Sequence, residues 1–599
     1  MKLRKKEKQP KEKRVRTGRA RKVVSFMLAV LMLLLSVQTG AEAQKEKLPV
    51  LTTEGVFQCD WFDESILYEY DYSDNLFLGS AYEYNHDLAL YALCVSMASF
   101  NSFDKSKPDE HIKKMLNDCG YSEFSSYGYE TEGYDTIALA VGRKDVVLEG
   151  EPTTILIAAV RSGNYGMEWG GNVRIGTGET HEGFEISKDI LMGYLNEYFK
   201  DFTPYGKVKI LIPGYSRGSS IANLFAAELV DGSYVETLGN AQDNIAKAQL
   251  APENIYTYLY EAPQCTSDKN ANSELYWNIF NIINPSDYVP MFVMDNYEFT
   301  LYGRKLYLPS ASRCDNYDEF YLAARKKFDE FMAHTGKTSG DFFYSYEDSL
   351  SCEAIFNNLF SSLATDVMLS REYYVEHLEQ PMIYFAGQYL GKKRTISDAA
   401  KTISTALFAA VLAANPLNED KGDESYIEYI ADYVEASTAG GTLTDKEIEG
   451  FFELITKLLK FVKINRKSIF SLMSQMNIVI NVHQPYVTMT WMKILTPEQF
   501  MEINDDIDDE LRLSCSRLKL KLETYGKIHV DYDSQKYIVK WTSSDESIAT
   551  VDENGIVFAY KVGTAVISAT LCTQDGTEVV QKNVEAIVDG NMIQTILKN

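Results

Sequence analysis

Basic residues, cysteines and long apolar runs are all scarce in this chain of 599 residues, and each scarcity excludes a class of protein. The 59 Lys and Arg are outnumbered by 85 Asp and Glu. Twelve of the basic residues lie within residues 1–43, so the remainder carries a net charge of −35. A surface that acidic repels phosphate backbones and anionic membranes, so we expect no nucleic-acid partner.

Only eight cysteines are present, at wide spacings and without a C-x-x-C pair. This density excludes a disulfide scaffold and argues against a zinc site, although an exported chain could still form disulfides. We expect neither a metal nor a cofactor. The 36 Gly and 15 Pro are too few for a collagen-like or low-complexity chain, and 45% hydrophobic with 24% charged residues indicates globular domains.

The single long apolar run, residues 23–37, follows a basic stretch at 1–22 and precedes the tripeptide 41–43 (Ala-Glu-Ala). This order is typical of a secretory signal peptide that ends near residue 43. An uncleaved membrane anchor is the alternative, but the run is short for a bilayer span. We therefore expect the protein to be secreted or associated with the cell surface.

Apolar, β-branched runs that alternate with helical patterns predict an α/β fold of the hydrolase type with a mainly parallel sheet. The predicted strands are 137–141, 154–160, 207–212, 255–260 and 278–283, and the helical patterns between them are 184–200 and 219–230.

Two further regions follow this α/β pattern. Residues of about 300–480 are largely helical in pattern, with clear stretches at 402–414, 425–436 and 444–462, and predict a helical insertion that acts as a lid or as a plain structural lobe. The α/β-hydrolase-like domain is thus expected over 44–503. An acidic linker at 504–514 then leads to strand-like alternation with frequent turns, which predicts a small all-β sandwich at 515–592.

The pattern with the most chemistry is the pentapeptide Gly-Tyr-Ser-Arg-Gly at 214–218. It follows a predicted strand and precedes a predicted helix, as in a nucleophile elbow that presents Ser216 at its apex. The helix N-terminus would favour negative charge developing at the reaction centre. An ordinary glycine-rich turn is the alternative.

A nucleophilic serine needs a base and a group that orients the base. In this fold the acid and then the histidine follow the serine. Asp287 lies just past the predicted strand 278–283, with Asp268 and Asp295 as alternatives. His483 follows an apolar run, whereas His334 and His377 lie inside the helical insertion, so we expect His483 to be the base.

Several motifs occur in an order that resembles the fungal-type (class 3) lipase family over residues of about 85–490. They are the Arg-Ser-Gly loop 161–163 with Glu168 and Trp169, the His-Glu-Gly-Phe stretch 181–184, the elbow 214–218, the strand end 258–263, the Asn-x-x-Asp-x-Val-Pro stretch 284–290, and His483 with Tyr486.

This resemblance implies a nucleophile Ser216, a base His483 and an orienting acid Asp287. It also implies an oxyanion hole formed by the backbone N–H of Arg217 and one from Ser162 or Gly163, and it makes His181 structural.

Three departures from the family pattern affect the expected site. Tyr215 replaces the usual His before the nucleophile, and Glu261 replaces the Gly of Gly-Ala-Pro. The order of Ser162 and Gly163 is inverted, which leaves the second oxyanion donor open.

The C-terminal segment resembles bacterial immunoglobulin-like group 2 domains, through Trp-Thr-Ser-Ser-Asp at 541–545 and Gly-Thr-Ala at 563–565. The resemblance implies a surface or adhesion module that could contact a cell surface or polysaccharide. The turn at Asp552 and Glu553 is interpreted as solvated rather than as a calcium site.

The leading hypothesis is an exported serine hydrolase that cleaves carboxylic esters, such as acylglycerols or other lipids. The alternative from another class is a surface binding protein on an inactive hydrolase scaffold, favoured by the altered oxyanion loop. Acyl transfer or amide hydrolysis by the same triad also stays open.

Overall fold

A seven-stranded sheet forms the centre of the α/β region in the computed structural model, which describes residues 50–59, 64–162, 167–291, 297–364, 370–384, 478 and 481–590. All of them lie in one compact unit, Val50–Asn599. The predicted signal peptide, the helical stretches at 402–414, 425–436 and 444–462, and Gly163 and Asp295 lie outside the described residues.

A separate hairpin, β1 (Leu51–Cys59) and β2 (Glu64–Tyr72), precedes the sheet. The strands of the sheet are β3 (Glu123–Tyr127), β4 (Leu139–Leu148), β5 (Glu151–Val160), β6 (Lys207–Tyr215), β7 (Ile255–Tyr260), β8 (Ile279–Ile283) and β9 (Arg304–Tyr307). They are arranged in the order β3-β4-β5-β6-β7-β8-β9. The first three strands are antiparallel, and every pairing from β5 to β9 is parallel. The predicted α/β class with a mainly parallel sheet is confirmed.

Helices cover both faces of this sheet because alternate strand residues point to opposite sides. Ile255 and Leu259 of β7 join the core cluster under two helices of one face, whereas the hydroxyls of Tyr258 and Tyr260 bond to backbone atoms of Asn85 and Ala89 on the other. The helices of the α/β region up to the elbow are α1 (His86–Ala98), α2 (Glu110–Asp118), α3 (Trp169–Asn172), α4 (Glu182–Tyr198), α5 (Arg217–Asp231) and α6 (Tyr234–Leu238).

The sequence patterns missed strands β3 and β9 and the β1–β2 hairpin. Strand β9 reads Arg-Lys-Leu-Tyr, and two adjacent charges do not look like a buried strand. Both charges are nevertheless buried, since Arg304 pairs with Asp508 at 2.7 Å and Lys305 pairs with Asp531 at 2.6 Å. These partners lie more than 200 residues away, beyond the reach of any local pattern.

The segment predicted as a helical insertion thus begins with a sheet strand and continues as helices. They are α7 (Tyr317–Phe331), α8 (Tyr346–Ala364), α9 (Arg371–His377) and α10 (Glu379–Tyr384), and the α/β region closes with α11 (Pro485–Ile494) and α12 (Pro497–Ile503). Among the helices of the described ranges, none combines the length and apolarity that a bilayer crossing needs.

The C-terminal module is all β. Its strands are β10 (Arg512–Leu513), β11 (Arg517–Lys521), β12 (Tyr525–Lys527), β13 (Val530–Asp531), β14 (Tyr537–Ser543), β15 (Ala549–Val551), β16 (Ile556–Ala559), β17 (Gly563–Thr573) and β18 (Glu578–Asp589). They form a four-stranded sheet, β11-β18-β17-β14, a three-stranded sheet, β12-β16-β15, and a short pair, β10-β13. Aliphatic side chains fill the core between these sheets, including Leu518, Ile567, Leu571 and Val584. The predicted small β-sandwich is confirmed.

The module packs against the α/β region. The Asn357 amide of α8 donates to Lys527 O at 2.9 Å and accepts from Lys527 N at 2.6 Å, and the ion pair of Lys305 with Asp531 crosses the same boundary. Within the predicted linker, the buried Asn504 side chain bonds to both backbone groups of Tyr307. The linker residues therefore form part of this contact.

Seven of the eight cysteines are buried, and Cys515 is partly exposed. Burial raises the pKa of the Cys94 thiol to about 12 and that of Cys352 to about 12. Cys119 shows the same effect, with its pKa raised to about 11. Such thiols stay protonated at neutral pH.

Candidate active site

Ser216 lies at a sharp turn between β6, which ends at Tyr215, and α5, which begins at Arg217. Its backbone has φ 53° and ψ −131°, and its N–H donates to Tyr260 O at 2.8 Å. A Cβ added at Gly218 would lie 2.5 Å from Arg161 O, so only glycine permits this close approach. The local geometry is that of a nucleophile elbow.

Three side chains form a continuous hydrogen-bonded series at this turn. His483 Nε2 lies 2.8 Å from Ser216 Oγ, and His483 Nδ1 lies 2.5 Å from Asp287 Oδ2. All three residues are buried, with exposed fractions of 5%, 7% and 1% for Ser216, His483 and Asp287. The structure therefore brings together the three residues that the sequence singled out.

The alternative residues lie elsewhere. Asp268 accepts a hydrogen bond from the Tyr302 hydroxyl at 2.9 Å. His334 is exposed just beyond α7, and His377 is the last residue of α9. Neither Asp268 nor His334 forms a hydrogen bond or ion pair with Ser216 in the part of the chain that the structure describes.

Asp287 and His483 are held by the backbone of their own loops. Asp287 N–H donates to Asn284 O at 2.9 Å, and Asp287 Oδ1 accepts from Val289 N–H at 2.9 Å. The carboxylate is thus fixed just beyond β8. His483 lies two residues before the start of α11, and its carbonyl accepts from the Tyr215 hydroxyl at 3.0 Å. Both loops therefore meet at the carboxyl ends of the strands, where such sheets place their sites.

The expected oxyanion residues lie close to Ser216. Arg217 is the first residue of α5, so its backbone N–H is at the helix N-terminus. The Cα of Ser162 lies 3.0 Å from the position of a Cβ on Gly218, and the buried Ser162 hydroxyl has no hydrogen-bond partner among the residues that the structure describes. Gly163 lies outside the described residues. Ser162 can therefore offer a polar group next to the elbow.

A buried ionic cluster, which the sequence analysis did not predict, joins the segment at Arg161 and Ser162 to Arg217, the two oxyanion segments that the family resemblance implies. Arg161 Nη2 donates to Glu168 Oε1 at 2.5 Å, and Arg217 Nη1 lies 4.0 Å from Glu168 Oε2. Thr136 and Ser187 complete it, because Arg217 donates to Thr136 O at 3.0 Å and to Ser187 Oγ at 2.8 Å. The Glu168 carboxylate thus contacts both segments. No residue spacing in the sequence predicts these contacts.

His181 is a structural residue. Its Nε2 lies 3.1 Å from Asn172 O and its ring stacks on Phe184 at 3.8 Å. Burial lowers the pKa of His181 to about 3, so the ring is neutral at physiological pH.

No cluster of three or more acidic, histidine or cysteine side chains that could hold a metal occurs in the part of the chain that the structure describes. The Asp552 carboxylate instead accepts backbone N–H groups of Asn554 at 2.9 Å and Ile556 at 2.8 Å, which closes a turn.

Comparison with known families places one match in the C-terminal module. Residues 528–584 match the family model of the bacterial Ig-like domain (group 2). The predicted resemblance of the C-terminal module is confirmed. No curated protein matched the chain.

Several solved structures of lipases match part of this chain. Rhizomucor miehei triacylglyceride lipase is 17% identical, over 37% of this chain and 79% of that chain, with a TM-score of 0.27. A triacylglycerol lipase whose catalytic centre is described as a serine protease triad is 17% identical, over 38% and 83%, with a TM-score of 0.27. Lipase II from Rhizopus niveus is 14% identical, over 37% and 79%, with a TM-score of 0.27. The fungal-type lipases that the sequence motifs resemble are thus also among the solved structures that match the chain.

Proposed function

We propose that this protein is a serine hydrolase that cleaves carboxylic esters through Ser216, His483 and Asp287. The observation that carries the proposal is the hydrogen-bonded series of these three side chains at the elbow. A buried serine, imidazole and carboxylate in this order form the arrangement needed for nucleophilic acyl transfer.

In the first half-reaction, His483 Nε2 takes the proton of Ser216 Oγ while the oxygen attacks the ester carbonyl carbon. Asp287 accepts from His483 Nδ1–H, which keeps Nε2 available as the base and stabilises the imidazolium. The tetrahedral intermediate collapses, the C–O bond to the alcohol breaks, and the alcohol leaves with the proton from His483. Ser216 then carries the acyl group as an ester.

In the second half-reaction, water replaces the alcohol. His483 takes a proton from water, the hydroxide oxygen attacks the acyl carbon, and the carboxylic acid leaves as Ser216 regains its proton. The negative oxygen of both intermediates would lie near the Arg217 N–H and the Ser162 segment, where prearranged donors stabilise it. The Arg161–Glu168–Arg217 cluster supports these segments from behind.

The substrate class that we propose is acylglycerols or other lipid esters. Its support is the fold likeness to lipases together with the order of motifs in the sequence. We also propose export, on the basic and apolar pattern of residues 1–43, and a cell-surface or polysaccharide contact for the bacterial Ig-like module. These assignments are independent of the triad and require their own tests.

The test of the enzymatic proposal is hydrolysis of p-nitrophenyl esters of increasing acyl length by the wild type and Ser216→Ala. We expect the variant to lose about 10⁶-fold in kcat with its fold retained, because the nucleophile is removed. His334→Ala is the control and should match the wild type. Absence of hydrolysis by the wild type on every ester would favour the binding-protein alternative, and an active Ser216→Ala would overturn the assignment of the nucleophile.

A further inference from the structure

Two residues that depart from the fungal lipase pattern meet through a third side chain behind the triad. Glu261 Oε1 lies 3.0 Å from Thr488 Oγ1, and Thr488 Oγ1 lies 3.2 Å from the Tyr215 hydroxyl. Tyr215 in turn donates to His483 O at 3.0 Å. Glu261, Thr488 and Tyr215 are each at most 1% exposed. Tyr215 and Glu261, which both differ from the family pattern, therefore belong to one buried series of hydrogen bonds that ends at the carbonyl of His483.

The number of protons available to this series of hydrogen bonds decides whether the Glu261 carboxyl is protonated. Three contacts, Glu261–Thr488, Thr488–Tyr215 and Tyr215–His483 O, each need one proton, and the two hydroxyls supply two. If Glu261 is ionised, Thr488 donates to it, and Tyr215 can serve only one of its two contacts. If Glu261 carries a proton, it donates to Thr488, Thr488 to Tyr215, and Tyr215 to His483 O. Only the neutral carboxyl satisfies all three contacts.

The other carboxyl oxygen reaches the loop of the acid. Glu261 Oε2 accepts from Asn284 N–H at 2.9 Å, and Asn284 O accepts from the N–H of Asp287 at 2.9 Å. Glu261 also follows Tyr260, whose carbonyl accepts from Ser216 N–H. The Glu261 side chain is thus connected to Asp287 through two successive hydrogen bonds and to the His483 carbonyl through three.

The surroundings of Glu261 favour its neutral form. Burial raises the pKa of Glu261 well above its ordinary value, and the negative charge of Asp287 raises it further. Its backbone has φ 50°, a left-handed conformation that glycine adopts without steric cost and that other residues adopt rarely. A glutamate in this strained position is retained at a cost, which indicates that its carboxyl is used.

We propose that Glu261 is a positioning residue that acts as a neutral carboxylic acid. It donates through Thr488 and Tyr215 to the His483 carbonyl and accepts from the Asn284 backbone, so that base and acid keep their mutual geometry. This role rests on the proposed function of the Ser216, His483 and Asp287 site.

The test compares Glu261→Gln with Glu261→Leu. Glutamine is neutral and offers both a donor and an acceptor, so it preserves the chain, whereas leucine removes it. We expect Glu261→Gln to stay within about threefold of the wild-type kcat, since at most one neutral hydrogen bond is weakened. Glu261→Leu should lose on the order of 10²-fold in kcat with little change in KM, because a misplaced base slows chemistry more than binding. Rates are taken per active site, titrated with a fluorophosphonate that labels Ser216.

Two further variants break the chain at other links. Thr488→Val and Tyr215→Phe should each lower kcat about tenfold, and the double variant should be no worse than the poorer single one, because the links act in series. Thr490→Val is the matched control. Thr490 lies on the same helix and is also buried, but its hydroxyl donates only locally, to Tyr486 O at 2.7 Å, so its kcat should be unchanged.

The outcomes separate the possible failures. If Glu261→Gln loses as much kcat as Glu261→Leu, the negative charge is what matters and the proposal is wrong. If Glu261→Leu, Thr488→Val and Tyr215→Phe all keep their kcat per active site and lose only thermal stability, Glu261 is structural and the proposal is also wrong. If Glu261→Leu does not fold, the Thr488 and Tyr215 variants decide. If the wild type neither hydrolyses esters nor reacts with the fluorophosphonate, the proposed function fails, and the positioning role falls with it.

Discussion

The two regions of the molecule differ most in what they bury. The α/β region encloses a hydrogen-bonded triad, the Arg161–Glu168–Arg217 cluster and the chain from Glu261 to His483. In the described C-terminal module, from residue 512 onward, the buried polar or charged residues are Arg512 and Thr524. Aliphatic side chains supply the rest of its core.

This difference has a physical meaning. Burying a polar group costs free energy unless each hydrogen bond is replaced, and burying a charge costs more. Apolar packing stabilises a fold without that cost. The α/β region therefore keeps buried polar networks where they set the geometry of the site. We expect changes to these networks to affect rate and stability together, and changes in the module core to affect stability alone.

After Ser216→Ala, the largest effect should come from Asp287→Asn. The amide no longer holds His483 in the tautomer that accepts from Ser216, so kcat should fall about 10⁴-fold. The double variant of Asp287→Asn and Ser216→Ala should have nearly the same kcat as Ser216→Ala alone, because the triad acts as a unit. Steady-state kinetics on one p-nitrophenyl ester measures both. A double variant whose losses simply multiply would argue against a shared mechanism.

Glu168→Gln tests whether the ionic cluster links structure to rate. It leaves two buried guanidinium groups facing a neutral amide, and removing one partner of a buried pair costs about 3–5 kcal/mol. We expect this loss in urea unfolding and a lower kcat as the oxyanion segments shift. Glu197→Gln is the control because its pair with Lys200 is exposed on both sides, where ion pairs contribute about 0–1 kcal/mol. A normal kcat in Glu168→Gln would limit the cluster to stability.

Leu571→Ala tests the other side of the comparison. Leu571 is fully buried in the module core, and such a truncation costs about 2–5 kcal/mol. At temperatures below unfolding, kcat and KM should equal those of the wild type. The exposed Val566 on the same strand is the control, since Val566→Ala should change stability by about 0.5 kcal/mol or less. A lower kcat in folded Leu571→Ala would show that the module influences the site.

The smallest effect concerns pH. His181 has a folded pKa of about 3, below its unfolded value of about 6.5, so the unfolded chain binds more protons between these values. The stability that neutral His181 contributes is present above pH 6.5 and is lost as pH falls toward 3. Between pH 6 and pH 5 the wild type should lose about 1 kcal/mol more than His181→Gln. If the free energies of unfolding of the two proteins fall by the same amount between pH 6 and pH 5, the prediction is wrong.

The sequence predicts those residues of the candidate site that are marked by a local motif or by their order along the chain. Ser216, Asp287 and His483 were found because an elbow, a strand end and an order of residues are local or sequential features. Glu168 and Glu261 were not assigned roles in the site, since their partners come from distant elements.

The same limit applies to the boundary between the regions. The acidic residues 504–514 resemble a linker, and the change of pattern there suggests a separable module. Asn504, however, bonds to Tyr307 about 200 residues away. Composition describes how a segment interacts with water, and it does not reveal a contact made by folding. The helical stretches beyond residue 384 stay predictions.

The buried cysteines have a consequence for how this protein tolerates oxidants. The thiolate is the form that attacks disulfides and reacts with peroxides, and burial suppresses it at Cys94, Cys119 and Cys352. Burial thus keeps these three sulfurs in their less reactive, protonated form while the chain is folded. Unfolding would expose them and restore their ordinary thiolate fraction. In an oxidising compartment, these cysteines are therefore most open to oxidation before the chain has folded.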